Sequence, residues 1–178
     1  MIAWGAIGTR SFSRYPLTMP TPFRQFSIRQ VSSELVDTFG RQHSYLRISL
    51  TEKCNLRCKY CMPAQGVTLT PRELNMTLEE RKQAIQIFAG MGVKKIRFTG
   101  GEPTISNQLL ELVRFASEQV ESVAITSNGI LLRDALPALQ QAGLRSVNIS
   151  LDTLQENKFQ EISRRDGKLL RRVLASIY

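Results

Sequence analysis

All three cysteines of the chain lie close together, in the sequence Cys54-Asn-Leu-Arg-Cys58-Lys-Tyr-Cys61. Their spacing is C-x3-C-x2-C, and the rest of the 178-residue chain contains no cysteine. Closely spaced thiolates of this kind hold iron–sulfur clusters. Three thiolates can bind three irons of a cubane cluster, and the fourth iron then has no protein ligand. An iron with an open coordination position is available for chemistry.

A disulfide framework, a zinc site and chance clustering each fit the cysteines less well. A disulfide framework normally has an even number of cysteines in a small secreted chain, whereas here the number is odd and no secretory signal is evident. A structural zinc site needs four ligands, and the single histidine, His43, lies just upstream of a predicted strand. Three unrelated buried thiols remain an alternative, although clustering by chance is uncommon for so rare a residue.

Strands and helices alternate around this cysteine motif. Strands are predicted over 46–50, 95–98, 122–125 and 146–151, and helices over 77–90, 109–119, 131–141, 155–162 and 169–177. Thr77-Leu-Glu-Glu80 is a capping box that begins the first helix. Four successive βα units predict a parallel sheet that right-handed crossovers curl toward a barrel. The sequence therefore predicts an α/β fold, a partial TIM-like barrel of parallel strands.

The predicted strands alternate apolar and polar residues. Two sets of side chains should project from opposite faces of the sheet. The apolar set, which should meet the helices, is Leu46, Ile48, Leu50, Ile96, Phe98, Val147, Ile149 and Leu151. The polar set is Arg47, Ser49, Thr51, Arg97, Thr99, Asn148, Ser150 and Asp152. An edge strand facing solvent could explain one such strand but not three, so we expect a water-filled lumen that holds a large charged ligand.

The residues around the cysteines resemble a known family. Leu46–Pro63, Gly100-Gly101-Glu102-Pro103, Thr126-Ser-Asn-Gly129 and Asn148-Ile-Ser-Leu-Asp152 form the series of motifs that carries the likeness. Together they resemble the radical S-adenosylmethionine (SAM) superfamily. From about Thr38 to the last residue, the chain resembles the N-terminal half of the GTP 3′,8-cyclases of molybdenum cofactor biosynthesis in their eukaryotic form. Arg47 and Arg97 favour the cyclases over other members.

The resemblance implies a cofactor and a set of ligands. Cys54, Cys58 and Cys61 would bind a [4Fe–4S] cluster whose free iron chelates SAM, and reductive cleavage of SAM would give a 5′-deoxyadenosyl radical. By the same resemblance, the residues that contact SAM are Tyr60, Gly101, Thr126 and Ser150. Loop packing is the alternative role for Tyr60. A tight turn is the alternative for the Gly100-Gly101 pair, which lacks Cβ atoms and lets a backbone approach closely.

The resemblance also assigns Arg47 and Arg97 to the GTP triphosphate. Both arginines occupy inward-facing strand positions, where a guanidinium needs an anionic partner. The planar guanidinium bonds two phosphate oxygens at once. A salt bridge to Glu52, Glu102 or Asp152 is the alternative. Nearby basic residues could offset the negative charge of a cluster, and these are Lys53, Arg57 and Lys59.

The composition of the chain argues against a disordered protein and a membrane-spanning protein. The chain is 42% hydrophobic and 22% charged, which argues against disorder, and it has no apolar run long enough to span a membrane. Residues 1–33 contain four arginines (Arg10, Arg14, Arg24 and Arg29) and no acidic residue, although the net charge of the chain is +9. We expect a disordered mitochondrial transit peptide over 1–33, import into the matrix, and a core domain over 34–178. A basic arm without function is the alternative; a nucleic-acid-binding arm is disfavoured.

The chain also differs from the family. The cyclases carry a second [4Fe–4S] cluster held by three further cysteines, and this chain lacks them. We therefore expect a truncated enzyme that needs an electron donor, and a homodimer or a companion chain could supply the missing half. Two other functions stay open: a non-enzymatic or split-enzyme module that binds a [4Fe–4S] cluster and SAM, and a structural zinc protein.

Overall fold

The computed structural model describes residues 35–178. The predicted transit peptide over 1–33 lies outside the described residues. The strands are β1 (Tyr45–Ser49), β2 (Lys95–Thr99), β3 (Ser122–Ser127) and β4 (Ser146–Ile149). The helices are α1 (Leu78–Gly90), α2 (Leu109–Gln119), α3 (Leu132–Gln141), α4 (Glu156–Ser163) and α5 (Leu169–Leu174), and short 3-10 helices cover Arg72–Leu74 and Pro103–Ile105.

The four strands form one parallel sheet in the order β1-β2-β3-β4. Each strand pairs with the next in sequence, and helices α1, α2 and α3 connect them. Because parallel neighbours require a crossover connection, this order gives the start of a βα barrel. The predicted partial TIM-like α/β fold is confirmed, with strand ends that differ from prediction by one or two residues.

The predicted alternation of the strands is confirmed by burial. Ile96 and Phe98 of β2 are fully buried in the core beneath the helices, and Leu46 and Ile48 of β1 pack against the same core. The opposite face carries the polar set. On that face Arg47 is exposed and Arg97 is half-buried. The sequence pattern therefore places the helices on one face of the sheet and leaves the other face polar.

The start of helix α1 is determined by its local sequence. The Thr77 hydroxyl accepts a hydrogen bond from the Glu80 amide, and the Glu80 carboxylate accepts one from the Thr77 amide, so the predicted capping box is formed. Arg81 lies on the buried face of α1 and donates to the Leu50 carbonyl at 3.0 Å. Burial lowers the pKa of Arg81. One side chain of α1 thus binds the residue that directly follows β1.

A second apolar cluster lies under the cysteine motif. Its buried members are Leu56, Ile130, Phe159, Leu170 and Val173. Leu56, which lies between Cys54 and Cys58, thus packs against side chains of helices α4 and α5. The prediction that the last helix extends to Ile177 is wrong: α5 ends at Leu174, and the amides of Ser176 and Ile177 bond three residues back, to the carbonyls of Val173 and Leu174. This tighter hydrogen-bond pattern is typical of a fraying helix end.

Candidate cluster- and ligand-binding site

The cysteines lie in a loop that follows the carboxyl end of β1. We call residues 54–62 the Cys loop. The loop turns tightly at its end, since the amides of Cys61 and Met62 both donate to the Cys58 carbonyl, at 2.9 and 3.0 Å. Leu56 is only 6% exposed and anchors the loop in the second apolar cluster. Ligand-binding loops occupy this end of the strands in βα barrels.

All three cysteines are free thiols in the structure. Burial raises the pKa of both Cys54 and Cys58, and the negative charge of neighbouring cysteines raises each pKa further. The protein alone thus disfavours the thiolates, and positively charged iron is the kind of partner that stabilises them. Across residues 35–178, no three His, Cys, Asp or Glu side chains are already grouped as a metal site. The ligand set therefore stays a prediction.

The Gly100-Gly101 pair packs against the segment that leads into the Cys loop. The Gly101 amide donates to the Thr51 carbonyl at 2.6 Å, and the Glu102 amide donates to the Lys53 carbonyl at 2.8 Å. A Cβ on Gly101 would collide with the Lys53 carbonyl oxygen, and Gly100 has a φ of +141°, which favours glycine. The close backbone approach expected for this pair is made to residues 51–53 of the protein itself.

Glu102 joins this turn to the end of β3. Its carboxylate is 1% exposed and accepts hydrogen bonds from the Ser127 hydroxyl at 2.8 Å and from the Asn128 amide at 2.7 Å. It also accepts from the amide and hydroxyl of Thr104. A buried carboxylate needs such donors because it has lost its hydration. Glu102 therefore fixes the motif over residues 100–103 relative to the motif over residues 126–129.

Asn128 extends the connection to the Cys loop. Its side-chain amide donates to the Asn55 side-chain oxygen at 2.6 Å and lies 3.9 Å from the Cys54 sulfur. The sequence did not assign a role to Asn128 or Asn55, and it offered the carboxylate of Glu102 only as an alternative ion-pair partner for the two arginines. The signal was present, since both Glu102 and Asn128 lie within the quoted motifs. Only the folded chain shows that they form one network with Cys54.

Tyr60 connects the Cys loop to the segment after β4. Its side chain is 69% exposed, and its hydroxyl donates to the Asp152 carboxylate at 2.8 Å. This hydrogen bond raises the pKa of Tyr60, because the carboxylate stabilises the protonated phenol. A small cavity lies between Tyr60, Cys58, Asn128 and Ser150. The structure thus brings two of the predicted SAM residues, Tyr60 and Ser150, together beside a cysteine.

Arg47 and Arg97 lie side by side on the polar face. They are register partners in the β1–β2 pairing. Arg97 donates to the Thr126 hydroxyl at 3.2 Å, and its buried Nε has no hydrogen-bond partner among residues 35–178. The guanidinium also lies 6.0 Å from the centre of the Tyr45 ring. A buried N–H without a partner is costly, so this face is suited to a ligand that accepts hydrogen bonds.

The alternative of ion pairs for the two arginines is not observed among the described residues. Each of the three carboxylates considered has another partner. Glu52 accepts from the amide and hydroxyl of Thr70, both at 2.7 Å. Glu102 is engaged by β3, and Asp152 by Tyr60. Of the nearby cations, Lys59 pairs with Glu161 at 2.8 Å.

Comparison with protein families defines the class. Residues 48–177 match the Radical SAM superfamily, and the chain therefore belongs to this superfamily. Membership implies an iron–sulfur cluster and SAM as cofactors. The fold agrees: the solved structure of Streptococcus suis SuiB bound to S-adenosylmethionine matches with a TM-score of 0.58 and 20% identity, over 73% of this chain and 28% of that one.

Relatives at higher identity narrow the class. The chain is 51% identical over 148 residues to molybdenum cofactor biosynthesis protein 1 of Drosophila melanogaster, covering 82% of this chain and 26% of that protein. It is 49% identical over 145 residues to the mitochondrial GTP 3′,8-cyclase of Arabidopsis thaliana, covering 80% of this chain and 37% of that protein. The chain thus spans between about a quarter and two fifths of the length of these relatives. Within residues 35–178, no helix is long and apolar enough to cross a membrane.

Proposed function

We propose that this chain supplies the cluster- and SAM-binding part of a GTP 3′,8-cyclase of molybdenum cofactor biosynthesis. The observation that carries the proposal is the position of the Cys loop, which lies at the carboxyl edge of the sheet beside a polar face bearing Arg47 and Arg97. Identity of about 50% to relatives named molybdenum cofactor biosynthesis protein 1 and GTP 3′,8-cyclase supports the proposal. The reaction would convert GTP to (8S)-3′,8-cyclo-7,8-dihydroguanosine 5′-triphosphate.

Cys54, Cys58 and Cys61 would hold a [4Fe–4S] cluster. All three are free thiols within one loop, at a spacing typical of iron–sulfur ligands. When bound and reduced, the cluster would supply the electron that cleaves SAM. An external electron donor must supply that electron to the protein. The three cysteines account for one cluster, so the second cluster of the cyclases has no cysteine ligands in this chain.

Four residues would orient SAM. Tyr60, fixed by Asp152, and Ser150, just after β4, border the cavity beside Cys58. Thr126 lies at the end of β3 on the polar face, and Gly101 lies in the turn after β2. Positioning of this kind holds the reacting groups together and excludes water. The protein's part in the reaction is thus to set geometry.

Arg47 and Arg97 would bind the triphosphate of GTP. Two guanidinium groups side by side repel each other unless an anion lies between them, and phosphate oxygens match their donors. The unpartnered Nε of Arg97 would then gain an acceptor. We also propose the mitochondrial matrix as its location, and the mitochondrial relative supports the mitochondrial part of this proposal.

Anaerobic reconstitution of the full chain with iron and sulfide tests this proposal. We expect a brown protein with about four irons per chain that, once reduced, forms 5′-deoxyadenosine from SAM at a rate that added GTP increases. Exchange of Cys58 to alanine should abolish both the colour and the product. Exchange of Ser44 to alanine, a residue upstream of β1, is the matched control and should retain them.

Three results have distinct meanings. A colourless protein with one zinc ion per chain would contradict the proposal and indicate a structural zinc protein. A well-formed cluster that yields no 5′-deoxyadenosine would leave a binding module and exclude radical chemistry by this chain alone. Formation of 5′-deoxyadenosine without dependence on GTP would support the SAM site and contradict the assignment of the substrate.

A further inference from the structure

The carboxyl end of α4 lies against the Cys loop. The amides of Arg57 and Lys59 donate to the carbonyls of Ser163 and Ile162, both at 2.9 Å. The last carbonyls of a helix have no donor within the helix and need one from elsewhere. The Cys loop provides two of these donors, so the helix end and the loop satisfy each other's backbone groups.

Arg164, the residue that ends α4, has an unusual backbone. Its φ is 53° and its ψ is 35°, in the left-handed region, and within residues 35–178 it is the one residue other than glycine with a positive φ. This conformation is disfavoured for a side chain with a Cβ, and glycine or asparagine is the usual choice at such a position. An arginine here therefore has a role beyond ending the helix.

The guanidinium groups of Arg164 and Arg165 bind the Cys loop. Arg164 donates to the Met62 carbonyl at 3.1 Å and, with a longer bond of 3.4 Å, to the Arg57 carbonyl. Arg165 donates through Nε to the Asn55 carbonyl at 3.1 Å. Neither arginine forms an ion pair with a carboxylate of the described residues. Both guanidinium groups thus donate their hydrogen bonds to backbone carbonyl oxygens.

The three bound carbonyls share one property: each belongs to a residue next to a cysteine. Asn55 follows Cys54, Arg57 precedes Cys58, and Met62 follows Cys61. Fixing a carbonyl fixes the plane of its peptide unit. The two arginines follow α4 directly, 102 to 110 residues beyond the carbonyls that they bind, and therefore restrain the backbone beside each of the three thiols.

We propose that Arg164 and Arg165 are positioning residues that hold the Cys loop in its ligand-binding shape before iron is bound. The left-handed turn at Arg164 is retained because it aims the guanidinium at the loop. This inference rests on the proposed function, since it takes the cysteines as cluster ligands. Its test reads the shape of the loop without iron, so failure of the restraint and failure of the cluster assignment can be distinguished.

Exchange of Arg164 to glycine separates the two roles of this residue. Glycine retains the left-handed turn without steric cost, so a residue that only ends the helix should tolerate the change. The exchange nevertheless removes the guanidinium. Exchange of Arg165 to alanine removes the other donor group, and exchange of Arg171 to alanine is the matched control. Arg171 is an exposed arginine of α5 that binds Glu156 and does not contact the Cys loop.

Hydrogen–deuterium exchange on the iron-free full chain provides the measurement. We expect the amides of residues 55–62 to exchange about 2- to 10-fold faster in Arg164→Gly and in Arg165→Ala, as the loss of one or two hydrogen bonds predicts, with exchange in α2 and the melting temperature unchanged. After reconstitution, both variants should incorporate less cluster, as judged by visible absorbance. The control should match the parent chain in every measurement.

Two results would overturn the inference. The first is unchanged exchange over residues 55–62 in both variants. The second is faster exchange across α2 as well as the loop, because that would mean general destabilisation instead of a local restraint. If the loop responds as expected but zinc binds in place of iron and sulfide, the restraint stands and the proposed function is wrong.

Discussion

Arg47 and Arg97 are direct register partners on the adjacent parallel strands β1 and β2, so two positive side chains project next to each other from the polar face of the sheet. Lys95, two residues before Arg97, adds a third positive charge, with its Nζ 5.7 Å from the centre of the Tyr45 ring. Like charges on opposed strand positions destabilise a sheet. The triphosphate that we propose for this face would offset this repulsion.

Exchange of Arg97 to methionine should separate stability from binding. Methionine has a similar length and no charge, so the free energy of unfolding without ligand should rise by up to about 1 kcal/mol as the like-charge contact is lost. The affinity for GTP or inorganic tripolyphosphate should fall by about 10- to 100-fold, the effect of losing charge-assisted hydrogen bonds. Urea denaturation and isothermal titration calorimetry measure the two quantities.

The matched control for Arg97 is Arg114, an exposed residue of α2 on the helical side. Its exchange to methionine should leave the affinity for tripolyphosphate unchanged. Equal loss of affinity in both variants would show that the anion responds only to net charge, and the assignment of the polar face as a triphosphate site would then be wrong.

Exchange of Gly101 to alanine should displace the Cys loop. The added Cβ would collide with the Lys53 carbonyl, which is backbone and cannot rotate away. We expect a loss of about 1–3 kcal/mol in the free energy of unfolding, typical of overpacking, together with reduced cluster incorporation. Thermal denaturation and iron analysis would measure both.

Gly90 is the control for Gly101. It is the exposed last residue of α1 and does not have a positive φ. Alanine is the better helix former, so exchange of Gly90 to alanine should leave stability unchanged or raise it by up to about 1 kcal/mol. If alanine at position 101 were tolerated equally well, close packing would not explain the Gly-Gly pair.

Exchange of Glu102 to glutamine should be costly although the two side chains have nearly the same shape. The carboxylate receives hydrogen bonds from Ser127, Thr104 and the Asn128 amide, and an NH2 group in its place would face donors. We expect a loss of about 1–3 kcal/mol in the free energy of unfolding, measured by urea denaturation. The same exchange at Glu118, exposed on α2, should change stability by less than about 0.5 kcal/mol. Equal effects would disprove the bridging role of Glu102.

The capping box predicts a dependence of stability on pH. Hydrogen bonds from the Thr77 amide and hydroxyl hold the pKa of Glu80 below its ordinary value of 4.5. Because the pKa is lower in the folded chain, the stabilisation is present above about pH 4.5 and is lost as the pH falls through the folded pKa. Melting temperatures of the parent chain should therefore fall more steeply below pH 4.5 than those of the Glu80→Gln variant. Parallel curves for the two proteins would contradict this assignment.

The sequence by itself determined the class of site and the order of the fold. Cysteine spacing predicted a cluster, the capping box predicted the start of α1, and strand alternation predicted which face is polar. These signals could be read because each depends on residues close in sequence, where the period of a strand or helix fixes the direction of a side chain. The contacts of Arg47 with β2 also follow, once strands β1 and β2 are known to pair.

The tertiary structure alone decided how the Cys loop is held. The contacts of Asn128 with Asn55, of Tyr60 with Asp152 and of Arg165 with the Asn55 carbonyl join residues that are 73, 92 and 110 positions apart. No local period specifies such pairs, because they depend on the register of parallel strands and on where α4 ends. The same reason applies to Gly101. Only the folded chain shows that a Cβ at this position would collide with the backbone of residues 51–53.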